Sequence, residues 1–526
     1  MSENSERRSL LPNAVLLTAV SFLMRTAGIS YRAFVTYRIG PEGMGLYTLV
    51  QTAFLFTVTV STAGLSTAVT RVVSENRSTG RGSGNAVLHA FCYALPLGAL
   101  SGLLLYSGAP YISTHFLGDV RSAQALRVLA WSLPVMSAAA VLKGYFYARR
   151  EALLPAVSDV LEQGTEMLVF LLLSLRLRGM PAETGCAVIA VGTAVSEAAS
   201  CAFLLMAWIG KRRGERDDRE PVLRRFLRIA LPVSGSACLG AGLRAAENAL
   251  IPKGLEAYGD SHVRALTVYG QVRGMALPLI FYPAAFLSPF AALLIPEIAG
   301  ARASGRICTQ KGRIVRILRF TLLLSFLVGG LLTAFSRELA VLVYRNAEIG
   351  RILLILAPLT PFMYLDPVVD GMLKGFDEQQ AVLRYNILDS SIRLIMVFLL
   401  IPRTGFTGFM LVMYVSNILN PVLSVRRLMR VSGLKPDLRR QILHPVLCTG
   451  LAAAAGRLLA AAGLAQSAAG LLVCSGVICF LFFTLLTACG VWTEEDSRYL
   501  AGCVRSLRGT LCRRSYSWYR GRLQHR

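Results

Sequence analysis

Long apolar stretches recur along the whole chain, and this recurrence constrains the fold more than any other feature. A helix needs about 20 apolar residues to cross the hydrocarbon core of a bilayer. About fourteen stretches have that length, and the sequence is 54% hydrophobic but only 16% charged. A soluble protein of 526 residues would need more polar surface. The chain is therefore predicted to be an all-α polytopic membrane protein with about 14 transmembrane helices.

The basic residues are distributed unevenly between the predicted loops. The formal net charge of the chain is +25. With a cytoplasmic N-terminus, the inner loops and both termini hold about 38 of the 55 Lys and Arg residues. The positive-inside rule then predicts a membrane protein with both termini in the cytoplasm. Attraction to anionic membrane lipid explains much of the basic charge, and no nucleic-acid partner is expected.

Short sequence segments repeat at an interval of six predicted helices. LKGYF at 142–146 precedes VFLLL at 169–173, and LKGF at 373–376 precedes VFLLI at 397–401. An even interval keeps both halves in one orientation, as in transporters whose halves are related by an axis along the membrane normal. We therefore predict two six-helix lobes related by a parallel pseudo-two-fold, two extra helices and a basic tail: 1–215, 216–435, 436–491 and 492–526. The tail fits an amphipathic surface helix and a disordered segment equally well.

Arginine inside a membrane span is costly, at about 2.5 to 3.5 kcal/mol near the bilayer centre. Such residues are expected to face protein or a watery cavity. Five arginines lie within predicted spans: Arg25, Arg32, Arg244, Arg273 and Arg393. Arg25 and Arg32 are two helical turns apart, so they project from one face of the first span at heights that differ by about 10 Å.

Two alternatives remain open for Arg25 and Arg32. In the first, acids of neighbouring helices neutralise them, for which the candidates are Asp159, Glu162, Glu166 and Glu197. In the second, the guanidinium groups are free to bind an anion, because arginine binds phosphate oxygens bidentately.

The other three arginines differ in whether an acid lies on their own helix face. Glu247 follows Arg244 by three residues and Asp389 precedes Arg393 by four, so local pairing is expected for both arginines. Arg273 has no such neighbour, and neither have Arg25 and Arg32.

Two acids of the tenth predicted span also need an explanation. Asp366, Asp370 and Lys374 share one helix face next to prolines that interrupt helical hydrogen bonding. A kinked, salt-bridged helix is one explanation, and a cation or proton site coupled to conformational change is the other. The histidines and cysteines lack metal-site spacing and no catalytic motif occurs, so neither enzyme activity, nor a metal, nor a cofactor is predicted.

The chain resembles a known family at RTAGISYRAF (25–34), RIGPEGMGLYTLV (38–50), AGLSTAVTRVVSE (63–75) and the segment 269–299. These motifs are similar to polysaccharide-flippase-type members of the MOP (multidrug/oligosaccharidyl-lipid/polysaccharide) exporter superfamily. The stage V sporulation protein B type is most similar, and the lipid II flippases are more distant.

This resemblance implies a protein of the bacterial inner membrane with a cavity between two lobes. It also implies movement of an undecaprenyl-diphosphate-linked saccharide from the inner to the outer leaflet by alternating access. It further implies that the diphosphate is bound by cavity arginines: Arg25, Arg32, Arg273 and, more loosely, Arg244. Glu42 matches an acidic gate position, and Arg71 either meets the diphosphate first or anchors the second span. Coupling to the membrane potential, Na+ or H+ would fall to Asp366, Asp370 or Glu247.

Two other functions remain as alternatives. A cation-coupled multidrug exporter would have a cavity dominated by acids such as Glu247, Asp366 and Asp370. A non-transporting scaffold would recruit envelope-synthesis or spore-cortex proteins through the basic loops and tail.

Overall fold

The computed structural model describes residues 3–78, 84–176, 181–212, 223–287, 298, 307–434 and 437–492. Within these ranges the chain forms helices and no strands, which confirms the all-α prediction. The predicted basic tail lies outside the described residues. The α-helices in chain order are α1 Glu3–Thr62, α2 Leu65–Ser78, α3 Gly84–Tyr111, α4 Ser122–Ala130, α5 Leu133–Ala148, α6 Leu153–Arg176, α7 Ala182–Arg212, α8 Leu223–Tyr258, α9 His262–Tyr269, α10 Leu277–Phe281, α11 Ile307–Tyr344, α12 Glu348–Leu356, α13 Thr360–Gly375, α14 Gln379–Thr404, α15 Phe406–Ser432, α16 His444–Ala461 and α17 Ala468–Ala488.

Many of these helices are long and apolar enough to span a membrane. The described ranges contain 10 such helices, or 11 if the pair α4 and α5, bent by 47°, forms one span. Helix α6 is not among them, because Asp159, Glu162 and Glu166 interrupt its apolar surface. The polytopic prediction is confirmed, and the number of fourteen spans stays a prediction.

Helix α1 contains the first two predicted spans and is broken at Gly40. A straight helix of 60 residues would be about 90 Å long, which is three times the hydrocarbon thickness of a bilayer. Gly40 has φ 74° and ψ 174°, a conformation that costs glycine little because it has no Cβ. The break therefore divides the helix within the RIGPEG segment, where the sequence predicts the outer end of span one.

The chain divides into two compact units. The larger unit comprises residues 28–278 and 386–416, and the smaller unit comprises the described residues of 1–27, 279–385 and 417–526. The predicted lobe boundary at residue 215 lies inside the larger unit. The lobes and their symmetry therefore stay a prediction.

The larger unit has a core formed by α2, α3, α5, α7 and the start of α8. Its fully buried aromatic residues include Tyr145, Phe146 and Phe226. Gly144 lets α5 approach α2, because a Cβ there would lie 2.7 Å from the Ser66 carbonyl oxygen. The LKGYF repeat thus contributes a packing position as well as Lys143.

A second close approach lies in the larger unit. There the part of α1 just after the break at Gly40 contacts α9 and the π-helical turn Gly270–Ala276. A Cβ on Gly45 would collide with the backbone of Leu266, and one on Gly270 would collide with the backbone of Pro41 and Gly45. Small residues at both positions let the two backbones touch. This contact fixes the segment that carries Arg273.

The smaller unit has its own core between α11, α16 and α17. Its buried members include Phe326 and Phe335 of α11, Ala452 of α16, and Ile478 and Phe482 of α17. Two of the chain's eleven cysteines, Cys448 and Cys474, are buried in this core, in keeping with their predicted role as small apolar residues.

Candidate functional site

A polar cavity of about 360 Å³ surrounds Arg32 in the larger unit. Helices α1 and α6 form most of its wall, and Gly28 permits their approach because a Cβ there would lie 2.8 Å from Gln163 Nε2. Tyr31 and Phe34 of α1 pack edge-on against Phe170 of α6 at 5.6 and 5.9 Å. The polar side chains lining the cavity are Tyr31, Arg32, Tyr47, Gln51, Asp159, Glu162, Gln163 and Glu166.

The acids of α6 do reach this cavity, as the first alternative for Arg32 requires, but Lys143 of α5 binds two of them. Its Nζ lies 2.8 Å from Asp159 Oδ1 and 3.5 Å from Glu162 Oε2. The third acid, Glu166, accepts a hydrogen bond from Thr193 Oγ1 at 3.4 Å. The three acids of α6 therefore have other side-chain partners. Glu197, the fourth candidate, is buried on α7 and is not among the residues that line the cavity.

Arg32 is half-buried, and Arg25 is exposed. No acid of the described ranges forms an ion pair within 4 Å of either guanidinium. Arg32 still interacts electrostatically with the carboxylate of Glu166, which lines the same cavity. The first span thus carries two guanidinium groups whose charge no ion pair in the described part of the chain compensates.

Arg273 has the opposite environment. Its Nη2 donates to Glu247 Oε1 at 2.5 Å, and Arg393 Nε lies 2.9 Å from Glu247 Oε2. Arg393 also pairs with Asp389 at 3.4 Å, which confirms the expected local pair. The side chain of Glu247 is only 3% exposed. Two guanidinium groups and two carboxylates therefore form a buried quartet without formal net charge.

The expected pairing of Arg244 with Glu247 is wrong. Glu247 is bound by Arg273 and Arg393, whereas Arg244 is exposed and pairs with no acid of the described residues. The acid that the sequence did not find for Arg273 comes from a different helix, α8. Diphosphate binding by Arg273 or Arg244 and ion coupling by Glu247 stay predictions.

The other predicted coupling residues form a ladder between α13 and α15 in the smaller unit. Asn420 Nδ2 donates to Asp366 Oδ1 at 2.8 Å, and Ser424 Oγ donates to Asp370 Oδ1 at 3.2 Å. The two acids are four residues apart on α13, and their two partners are four residues apart on α15. The two helix faces therefore contact each other in two successive turns. Coupling through this ladder is untested.

Glu42 belongs to a charged network at the end of the larger unit that is predicted to face outside. Glu42 Oε1 lies 2.8 Å from Arg121 Nη1, and Asp119 accepts from Arg121 Nη2, also at 2.8 Å. His262 joins Asp119 to Glu256 through its two ring nitrogens, at 2.9 and 2.6 Å. The predicted gate residue is thus linked to the start of α4 and, through His262, to the end of α8.

This network changes the ionisation of its members. Burial lowers the pKa of His262, but hydrogen bonds to Asp119 and Glu256 outweigh it and raise that pKa above its ordinary value of 6.5. Burial raises the pKa of Asp119, but hydrogen bonds from Arg121 and His262 outweigh it and lower the pKa below its ordinary value. Both shifts favour a charged His262 between two carboxylates.

Arg71, the predicted entry or anchoring residue, lies in the middle of α2. Its Nε is 3.1 Å from Glu75 Oε1, one turn further along the helix, and its side chain is 66% exposed. Arg225 of α8 also binds Glu75. This arrangement fits the anchoring alternative for Arg71.

The sequence did not show that Lys143 binds Asp159 and Glu162, or that Arg393 shares Glu247 with Arg273. These contacts decide which arginines have an acid partner. One signal was available for Lys143, since Asp159, Glu162 and Glu166 lie on one face of α6 at spacings of three and four. Nothing in the sequence showed which neighbouring helix faces them.

Comparison with known proteins supports the sequence resemblance. Residues 10–241 match the model of the family described as "Polysaccharide biosynthesis protein". The match covers somewhat less than half of the chain, and it supports the resemblance over that part. The matched residues include Arg25, Arg32, Glu42, Arg71 and the whole wall of the Arg32 cavity.

Two curated proteins of Bacillus subtilis (strain 168) are similar over most of their length. Stage V sporulation protein B is 21% identical over 439 residues, which cover 81% of this chain and 84% of that protein. Lipid II flippase MurJ is 22% identical over 461 residues, which cover 80% and 82%.

Two solved structures show the same fold. The inward closed conformation of lipid II flippase MurJ superposes with a TM-score of 0.70 at 12% identity, over 90% of this chain and 98% of that one. An inward-facing multidrug resistance MATE transporter of the MOP superfamily has a TM-score of 0.60 at 16% identity, over 80% and 100%. At such identities these structures support the architecture alone.

Proposed function

We propose that this protein is a flippase that moves an undecaprenyl-diphosphate-linked saccharide from the inner to the outer leaflet of a bacterial cell membrane by alternating access. The saccharide would be a peptidoglycan precursor or another envelope polysaccharide intermediate. The family match and the MurJ relative support a lipid-linked saccharide as substrate. The stage V sporulation protein B relative supports a role in sporulation. The chain would thus be a transporter and not an enzyme.

The observation that carries this proposal is the lack of an ion pair for Arg25 and Arg32 in the described part of the chain. Nearby acids have other partners, because Lys143 binds Asp159 and Glu162, Ser200 donates to Glu162, and Thr193 donates to Glu166. A guanidinium fork in this state can bind two phosphate oxygens at once. In this mechanism Arg25 and Arg32 hold the diphosphate while the polyprenyl tail stays in lipid.

The test is translocation of a fluorescent undecaprenyl-diphosphate disaccharide in proteoliposomes. We expect Arg25→Ala and Arg32→Ala each to reduce the translocation rate at least about tenfold, which corresponds to about 1.4 kcal/mol of lost binding. Arg32→Lys should recover only part of the loss, since lysine keeps the charge but not the fork. Normal translocation by purified, folded Arg25→Ala and Arg32→Ala proteins would contradict the proposal.

Lys211 supplies a matched control. It is a cation on α7 that binds Glu151 and lies outside the Arg32 cavity. Lys211→Ala should translocate the lipid at the wild-type rate. An equal loss in this variant would mean that the assay reports membrane charge and not the site.

A cation-coupled multidrug exporter is the second candidate, and one observation favours it. Three carboxylates line the same cavity as Arg32, so the lining has more formal negative than positive charge. Such a transporter would lose ethidium efflux on Asp370→Asn and tolerate Arg32→Ala. A scaffold, by contrast, would show no translocation as the wild-type protein.

The coupling ion is also part of the proposal. Membrane potential, Na+ or H+ would drive the conformational cycle, and the Asp366 and Asp370 ladder would sense the ion. Replacing Asp366 with Asn should abolish the stimulation of flux by an imposed ion gradient while leaving exchange without a gradient intact.

A further inference from the structure

A groove of about 510 Å³ lies on the larger unit between α3, α4 and α7, apart from the cavity of Arg32. Its apolar wall is formed by Val128 of α4 and by Val191, Ala194, Val195 and Ala198 of α7. The α7 residues recur at helical spacing, so they form one continuous stripe. The groove is apolar on this side, and apolar side chains of this kind can pack against an acyl chain.

The opposite wall of the groove is polar and aromatic. Gln124 and Arg127 of α4 are exposed, Tyr106 of α3 is 44% exposed, and Trp131 is 73% exposed. The Arg127 guanidinium carbon lies 5.8 Å from the centre of the Tyr106 ring, and the Trp131 ring lies 6.1 Å from the same ring, edge-on. Tyr106 is therefore flanked by a cation and an indole.

Arg127 has no carboxylate partner in the part of the chain that the structure describes. Its contact with Tyr106 is a cation–π interaction, which orients the guanidinium but leaves its charge uncompensated. An exposed arginine on an otherwise apolar helix of a membrane protein needs an anion or water. The groove beside it offers room for an anion that carries an apolar chain.

Arg127 lies close to the charged network at the end of the larger unit that is predicted to face outside, and we therefore expect it near the lipid headgroups. Helix α4 begins at Ser122, directly after the charged Asp119 and Arg121, and Arg127 lies about 8 Å further along the axis. Tryptophan and tyrosine are enriched at this depth, where one end of the ring is apolar and the other is wet. The neighbouring face of α3 exposes Leu100, Leu103 and Leu104, as lipid contact requires.

We propose that this groove binds one anionic phospholipid, with its phosphate on Arg127 and Gln124 and an acyl chain along the α7 stripe. By the predicted orientation the lipid belongs to the outer leaflet, opposite the basic inner loops. Because α4 also follows the network of Glu42, Arg121 and His262, the bound lipid stabilises the helix that this network holds.

The test measures lipid that stays bound to the full-length protein. The protein is reconstituted in nanodiscs of phosphatidylcholine with 20 to 30% phosphatidylglycerol, on the order used for anionic bilayers, extracted mildly and analysed by native mass spectrometry. We expect the wild-type protein to retain phosphatidylglycerol in preference to phosphatidylcholine. Arg127→Ala should reduce that retention at least about fivefold.

Two further variants separate a built site from general surface charge. Arg351, near the start of α12, is likewise an exposed arginine without an acid partner in the described residues, and Arg351→Ala should retain the lipid like the wild type. Val195→Trp should fill the groove and lower retention without a change in charge. Equal losses from Arg127→Ala and Arg351→Ala would overturn the proposal, as would full retention in Arg127→Ala.

A thermal-unfolding measurement tests the same site without extracting the protein from a bilayer. Phosphatidylglycerol added to wild-type protein in detergent should raise the unfolding temperature, whereas phosphatidylcholine should not. Arg127→Ala should lose this increase but keep the unfolding temperature seen without lipid. An increase that persists in Arg127→Ala would contradict the site.

Discussion

Arg32 and Arg273 are both arginines of predicted membrane spans, yet their surroundings differ in kind. Arg273 shares the buried Glu247 with Arg393 in a quartet of balanced charge. Arg32 lies in a polar cavity whose acids are engaged by Lys143 and by hydroxyl groups. The difference indicates that the neighbouring side chains, and not the position of an arginine in a span, decide whether the arginine is paired.

The largest effect is expected when the quartet loses its shared acid. Glu247→Gln would leave Arg273 and Arg393 buried with less negative charge, and removing one partner of a buried ion pair costs about 3 to 5 kcal/mol. Thermal unfolding in detergent should show the loss as a large drop in melting temperature. The double variant Glu247→Gln with Arg393→Gln should recover part of it, and no drop in the single variant would mean that the quartet contributes little.

A substitution of Lys143 is the next test of the difference between Arg32 and Arg273. Lys143→Met should release Asp159 and Glu162, which can then turn to Arg32 and compete with an anionic substrate. We expect translocation to fall several-fold, on the order of 1 kcal/mol in the activation free energy. Adding Asp159→Asn and Glu162→Gln should restore flux, because the competing carboxylates are then gone. A rate unchanged in Lys143→Met would show that Lys143 does not keep Arg32 available.

A smaller effect should follow from pH at the outer network of the larger unit. Since the pKa of His262 is raised in the folded protein, its stabilisation is fully present below pH 6.5 and is lost as pH rises through the folded pKa. The imidazole is partly exposed, so screening limits the effect to less than about 1 kcal/mol. Melting curves recorded between about pH 5.5 and 8.5 should show this loss of stability. The range extends from about one unit below the ordinary pKa of histidine to about two units above it. His262→Gln should remove this component, and an unchanged pH profile would contradict the assignment.

The sequence was sufficient for the helical class and the polytopic organisation, and it placed Arg25, Arg32, Arg244 and Arg393 in helices long and apolar enough to span a membrane. These properties depend on local composition and on the cost of a charge in lipid, both of which a sequence displays directly. Arg273 lies instead in the π-helical turn Gly270–Ala276, outside the candidate spans of the described residues. The partners of those arginines depend on which helix faces which. Spacing on one helix paired Asp389 correctly with Arg393, but the same rule failed for Arg244 and Glu247. The acid of Arg273 lies on another helix and was missed.

Arg71 should give the smallest effect. Its pair with Glu75 is exposed and lies within one helix, and such pairs contribute about 0.3 to 0.5 kcal/mol. If Arg71 anchors the second span, Arg71→Ala should lower the melting temperature slightly and leave the translocation rate within about twofold of wild type. Glu75→Gln is the informative companion, because Glu75 also binds Arg225 and should cost more stability than Arg71→Ala. If instead Arg71 first meets the diphosphate, Arg71→Ala should reduce translocation with no change in stability, whereas Glu75→Gln should not reduce it. The two variants therefore decide whether Arg71 belongs with Arg32, as a cation available to substrate, or with Arg273, as a cation held by its acid.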